Sequence, residues 1–112
     1  MRNMSFMLTT PQMRARTKTV TRRLGWWFLK PGDLVMAVEK SRGRHKGEEM
    51  VQIAPIRIVN TRAQSLKKVD AEDVRCEGFA QMSPGDFVDH FCTTHRGCTP
   101  ETKVNRIAFE FV

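Results

Sequence analysis

Apolar residues in this chain fall into short runs separated by polar and turn-forming stretches, rather than into one long period. Ser5-Phe6-Met7-Leu8 reads as a short first strand. Thr10 followed by Pro11 fits an N-cap and a first helical position, which predicts a brief helix to about Arg16. Leu34 to Val38 is a buried-type apolar run that follows the turn signal Pro31-Gly32-Asp33. Met50 to Val59 also has strand composition. Pro55 within it has no N–H to give to a ladder, so it requires a bulge or an edge position.

The second half carries two helices with legible ends. Asp70, with Asp73 three residues on, marks one start, and Gly78 marks its stop. Ser83, Pro84 and Asp86 mark the next start. Phe87, Val88, Phe91 and Cys92 then recur at helical spacing, and Gly97 ends the run. In the closing segment Ile107, Phe109 and Phe111 alternate onto one face of a strand. Strands joined by short helices, without a βαβ rhythm, predict an α+β fold with a mostly β core, built as an antiparallel sheet or small barrel. Neither a repeat nor a low-complexity linker interrupts the chain, so residues 1–112 read as a single domain.

Composition narrows the class. A chain of 112 residues supports one modest core. Hydrophobic residues at 40% and charged residues at 28% argue for a folded protein and against disorder. The formal charge of +7, from 19 Lys+Arg against 12 Asp+Glu, favours polyanions, with nucleic acid the first partner to consider. No apolar segment is long enough to span a bilayer, and Met1 to Arg16 lacks the apolar run of a secretory signal. Three cysteines, an odd number, then predict free thiols in a reducing cytoplasm. A monomer is favoured over an oligomer.

The densest candidate chemistry is Lys18-Thr19-Val20-Thr21-Arg22-Arg23, with Arg14 and Arg16 upstream. A threonine hydroxyl becomes a nucleophile when a base takes its proton, and a lysine serves as that base when its pKa falls. The four arginines push the Lys18 pKa down, whereas a carboxylate beside it pushes it up. The plainer reading of the same residues is a solvated basic edge. Glu77 sits at the predicted C-terminal end of the first of the two helices, where the helix dipole disfavours negative charge, so either a cation such as Lys18 or Arg22 approaches it or water solvates it.

Trp26 and Trp27 offer stacking surfaces for bases, although neighbours on an extended segment point opposite ways and one of the two belongs to the core. Lys40, Arg42, Arg44 and Lys46, with His45 among them, form a basic loop suited either to phosphate contact or to a solvated hairpin tip. His90, Cys92, His95 and Cys98 have ligand chemistry for zinc. His90 and Cys92 are two apart on a helix and face different ways, so packing and capping roles are expected and no metal is assigned.

Taken together, the Lys18–Arg23 segment, Leu29-Lys30-Pro31-Gly32-Asp33, Asp73 to Phe79 with its Glu77-Gly78-Phe79, the Phe87–Cys92 helix and the Val104–Phe111 strand resemble the ASCH domain family. The resemblance spans most of the chain and rests on the order and spacing of these elements. It implies a small PUA-like β-barrel with flanking short helices, no cofactor, and a cleft lined by the Lys-Thr-Arg segment and the helix-end glutamate. Members of that family are thought to bind RNA or modified nucleosides. Its acetylcytidine amidohydrolase branch uses a lysine, a threonine and a glutamate, and Lys18, Thr21 and Glu77 fall on those positions. A ribonuclease activity is also attributed to some members. The chain departs from the amidohydrolase branch at Gly25-Trp26-Trp27-Phe28 and in its Cys92 to Cys98 ending.

The expectation is therefore a module binding RNA, a nucleoside or a nucleotide, with Arg14, Arg16, Arg22, Arg23, Trp26, Trp27 and the basic loop as contacts. The alternative is a hydrolase, either an amidohydrolase acting through Lys18, Thr21 and Glu77 or a ribonuclease. A protein-binding adaptor has little support from an aromatic content of 8%.

Overall fold

Helix starts occur where the chain supplies an acceptor for the first free amides. In the computed structural model, which describes residues 1–40, 47 and 49–112, the Asp70 carboxylate accepts from the Asp73 N–H and opens α2, Ala71–Cys76. Ser83 and Asp86 exchange side-chain and backbone bonds in a capping box that opens α3, Pro84–Thr94. The first helix, α1, covers Thr10–Arg14. Its cap residue is Thr9 rather than Thr10, and it stops two residues early because Arg16 turns to a positive φ of 60°.

The five strands are β1 (Arg2–Ser5), β2 (Val20–Arg23), β3 (Leu34–Val38), β4 (Gln52–Ser65) and β5 (Lys103–Phe111), in the sheet order β1-β3-β4-β5-β2. The pairings are antiparallel except that β1 runs parallel to β3. The fold class is thus the expected one, α+β and mostly β, in a mixed sheet rather than an antiparallel one. The first strand lies earlier than the Phe6-Met7-Leu8 run suggests. The Phe6 N–H makes a bond of 2.8 Å to the Val38 carbonyl, and the chain then turns through a 3-10 segment, Met7–Thr9, that leaves Met7 and Leu8 exposed.

Strand β4 runs six residues beyond the apolar segment that signals it. Gln52 to Arg57 pair with β3 and Ile56 to Ser65 with β5, so the two ladders overlap at Ile56 and Arg57, and the β5 ladder shifts register between Ile58 and Asn60. Such an irregularity bends a strand and increases its twist, and here the sheet curls into a half-barrel. Pro55 is accommodated because its carbonyl accepts from the Val112 N–H, on the side where β5 ends. In an antiparallel strand the N and O of one residue point the same way, so the missing N–H removes no bond to β3.

The sheet buries apolar side chains on both faces. One cluster, containing Met4, Phe6, Val35, Ile56, Ile58, Ile107 and Phe109, fills the curl under α1. The other, containing Leu66, Val74, Phe87, Phe91 and Val104, seats α2 and α3 on the opposite face. Strand β2 is an edge strand of only four residues, yet Val20, Thr21 and Arg22 in it are buried. A guanidinium nitrogen of Arg23 in β2 donates to the Ser5 carbonyl in β1 at 2.8 Å, tying the two sheet edges together.

Candidate functional site

Along β2, side chains alternate between the two faces of the sheet. Thr21 and Arg23 share the face of their partners Ile107 and Asn105, whereas Arg22 shares the other face with its partner Arg106. Lys18 precedes the strand, and the Thr19 N–H donates to the Cys76 carbonyl at 2.8 Å, clamping this segment to the end of α2. That contact brings Glu77 within reach of Lys18, 59 residues away in sequence.

The result is a buried ionic network. The Lys18 ammonium donates to both the carboxylate and the backbone carbonyl of Glu77, each at 2.8 Å. Arg22 donates to the other Glu77 oxygen at 3.0 Å and to Asp73 at 2.5 Å. Arg106 adds a fork to Asp73, its shortest arm 2.9 Å. Lys18, Thr21, Arg22 and Glu77 are each no more than 4% exposed. Charges removed from water this far must be paired and hydrogen-bonded. Asp73 and Glu77, four apart and on one side of α2 and its C-terminal cap, supply the two anions.

Gly78 makes the close approach possible. It has a φ of 98°, and a Cβ there would lie 2.8 Å from the Gln12 Cγ and 3.5 Å from the Lys18 Cβ. Only a residue without a side chain turns the chain here while leaving Lys18 against the Glu77 carbonyl.

Electrostatic shifts follow from this packing. Burial lowers the Lys18 pKa below its usual 10.5. The Glu77 carboxylate opposes that change, and Arg23 and Arg22 reinforce it. Arg23 is pushed down to about 10 by desolvation. For Asp73, burial acts upward, but hydrogen bonds from Arg106 and Arg22 outweigh it and hold the carboxyl below its ordinary 3.8.

Lys18, Thr21, Arg22, Arg23 and Glu77 all line one cavity of about 220 Å³. Phe79, Phe87, His90, Phe91 and His95 give it an aromatic side, and Ser5 to Thr9 also line it. The wall is ordered internally: His95 stacks on Phe91 with ring centres 3.9 Å apart and bonds the Phe91 carbonyl through Nδ1 at 2.8 Å. A cation-rich floor facing an aromatic wall suits a planar ring that carries carbonyl or phosphate oxygens. Lys18 has used two of its three N–H bonds and keeps one for such a group, while Arg22 Nε is buried without a protein partner. Among the described residues the Thr21 hydroxyl accepts from Arg23 Nε at 3.1 Å and is not bonded to Lys18.

Other expected contacts lie elsewhere. Arg14 is exposed and pairs with Glu39, while Arg16 lies over the Phe111 ring, 4.7 Å from its centre. Neither lines the cleft. Trp26 packs on the core of the curl, as one of the tryptophans should, and stacks near Phe28. Trp27 is 51% exposed and outside the cavity lining. Lys40 is half-buried and also outside that lining, and Arg42, Arg44 and Lys46 lie outside the described residues. Among the described residues no group of three or more His, Cys, Asp or Glu side chains is placed to hold a metal ion.

The sequence reading missed Asp73 and Arg106 as parts of the network, and the aromatic wall as part of the cleft. One signal was available: acids four apart, as Asp73 and Glu77 are, fall on the same side of a helix, and repel unless cations meet them. Arg106 also sits between Arg22 and Arg62 in register, so three arginines cross β2, β5 and β4 in a row.

No protein-family model matches the sequence, and no curated protein matches it. Solved structures share the fold. Protein EF3133 from Enterococcus faecalis V583, described under the family DUF984, aligns with a TM-score of 0.63 and 16% identity over 94% of this chain and 67% of its own. The hypothetical protein PH0355 aligns with a TM-score of 0.67 and 14% identity, over 99% of this chain and 96% of its own. At such identities the likeness is one of fold. No helix among the described residues is long and apolar enough to cross a membrane.

Proposed function

We propose that this chain is an ASCH-type domain of the PUA-like class, and that its cleft binds RNA through a single exposed base or binds a free nucleoside or nucleotide. The observation that carries the reading is the convergence of Lys18, Thr21, Arg22, Arg23 and Glu77 on one cavity faced by Phe79, Phe87 and Phe91. The volume of about 220 Å³ is below the ~300–1,000 Å³ usual for drug-sized ligands, so it suits a base or nucleoside and not a folded oligonucleotide. The aromatic rings offer a stacking face, and the Lys-Arg floor offers donors for ring oxygens or a phosphate. The charge of +7 supports attraction of the polyanion to the surrounding surface.

Calorimetric titration with cytidine, cytidine monophosphate and a short single-stranded RNA at two salt concentrations tests the proposal. Binding of the RNA should weaken with salt, by a slope of about −0.7 for each phosphate neutralised. Absence of binding to all three ligands would sink it.

A second reading, hydrolysis of an N-acetylated cytidine, is supported by the placement of a pKa-lowered Lys18 and its Glu77 partner in the same cleft as Thr21. In that reaction Thr21 Oγ attacks the acyl carbonyl, Lys18 accepts the proton and returns it to the leaving amine, and Glu77 orients the lysine. Arg22 or a backbone N–H stabilises the oxyanion, and water then releases acetate from the threonine ester. Release of cytidine from acetylcytidine measures it. Wild-type turnover in Lys18→Ala, Thr21→Ala and Glu77→Ala together would exclude this chemistry while leaving the binding reading intact.

A further inference from the structure

Cys92, near the C-terminal end of α3, and Cys98, in the turn after that helix, place their sulfurs 3.2 Å apart. They belong to the end of the molecule that builds the aromatic wall of the cleft, since Phe91, Thr94 and His95 lie between or beside them and line the cavity. We propose that Cys92 and Cys98 form a reversible intramolecular disulfide that fixes the α3 end of the cleft wall, a modification site independent of what the cleft binds.

The local structure is already set for closure. The Cys98 N–H bonds the His95 carbonyl at 3.1 Å, so the intervening turn is closed before any covalent link exists. Both cysteines are half-buried against the cluster that seats α3. A disulfide bond is ~2.05 Å long, so the sulfurs need approach by little more than ~1 Å. The third cysteine, Cys76, sits on α2 and contacts Glu72, apart from the pair.

Glutathione disulfide is a sufficient oxidant. The Cys98 thiolate attacks one of its sulfurs, breaking the S–S bond, forming a mixed disulfide and releasing a glutathione thiolate that takes up a proton. Cys92 then loses its proton and attacks the Cys98 sulfur, releasing the second glutathione. Two protein thiols are oxidised and one glutathione disulfide is reduced to two thiols. Desolvation and the hydrogen bond to the Cys98 sulfur push the Cys92 thiol up to about 11, so its attack in the second step relies on the 3.2 Å proximity of the two sulfurs. A reducing thiol pool reverses the sequence, so the bridge is a transient state in a compartment that keeps thiols reduced.

The test is thiol titration and peptide mass mapping of the folded chain with excess glutathione disulfide, then with dithiothreitol. Reactive thiols should fall from three to one, with residues 92 and 98 linked and Cys76 free, and reduction should restore all three. Hydrogen exchange of the amides from 92 to 98 should slow in the oxidised form. The Cys76→Ser variant should lose both remaining thiols, and Cys92→Ser should hold a glutathione adduct on Cys98 without an internal bridge. Three unreacted thiols, separate glutathione adducts on Cys92 and Cys98 in the unsubstituted chain, or a bridge that includes Cys76 would overturn the proposal.

Discussion

Glu77 meets the Lys18 ammonium twice, with its carboxylate and with its own backbone carbonyl, at 2.8 Å in each case. The double contact places a full charge pair inside the fold, with 3% and 4% of the two side chains exposed. Arg22 shares the same carboxylate, so removing Glu77 leaves Lys18 without an anionic partner and Arg22 with Asp73 alone.

Glu77→Gln should therefore destabilise the protein by about 3–5 kcal/mol, the usual consequence of leaving a buried charge without its partner. Glu39→Gln, which breaks the solvent-exposed pair with Arg14, should change stability by only ~0–1 kcal/mol. Urea unfolding of both variants measures the contrast. Equal effects would mean that the Lys18–Glu77 pair is not buried.

Asp73 gives stability a defined acid limb. Its folded pKa is below the ordinary 3.8, so the unfolded chain takes up the proton first as pH falls. The stability it contributes is fully present above 3.8 and is lost as pH drops through the folded value. Unfolding midpoints of wild type and Asp73→Asn should differ most near neutral pH and converge in acid. A gap independent of pH would contradict the proposed origin.

Lys18 acts in the alkaline direction. Its folded pKa is below 10.5, so the unfolded state holds the proton to higher pH. Between the folded value and 10.5, loss of the buried proton should raise stability as pH increases, relative to Lys18→Met. A wild-type curve that falls relative to the variant over that range would reverse the sign assigned here.

Gly78→Ala should cost about 1–2 kcal/mol from the left-handed backbone, with a further loss from the 2.8 Å contact with Gln12. The double variant with Gln12→Ala should recover the part of the contact made by the Gln12 Cγ, with its Cβ still 3.0 Å away, and not the backbone portion. Thermal melts of the single and double variants separate the two. Full recovery would show that the turn tolerates a side chain.

Much of the fold is legible from local chemistry. Leu34 to Val38 is a strand of those bounds, and the caps at Asp70 and Ser83 and the stop at Gly78 follow from hydrogen-bond needs that neighbouring residues reveal, whereas α3 ends at Thr94, before the expected stop at Gly97, because His95 turns to an extended backbone. Strand β2 was less legible. Val20–Arg23 is short and polar, and it is a strand because it pairs with β5, 80 or more residues later. The extension of β4 beyond Val59 likewise depends on the β5 partner, and the parallel pairing of β1 depends on β3.

The candidate site divides along the same line. The sequence alone determined that Lys18, Thr21, Arg22 and Glu77 are present, that Glu77 ends a helix, and that the chain carries excess positive charge, because these are properties of residues and their near neighbours. Tertiary structure decided that Glu77 faces Lys18, that Asp73 and Arg106 complete the network, that an aromatic wall closes the cleft and that Arg14, Arg16 and Trp27 stay outside it. Contacts between residues tens of positions apart are fixed by the curl of the sheet and the packing of α2 and α3. Local preferences carry no record of them.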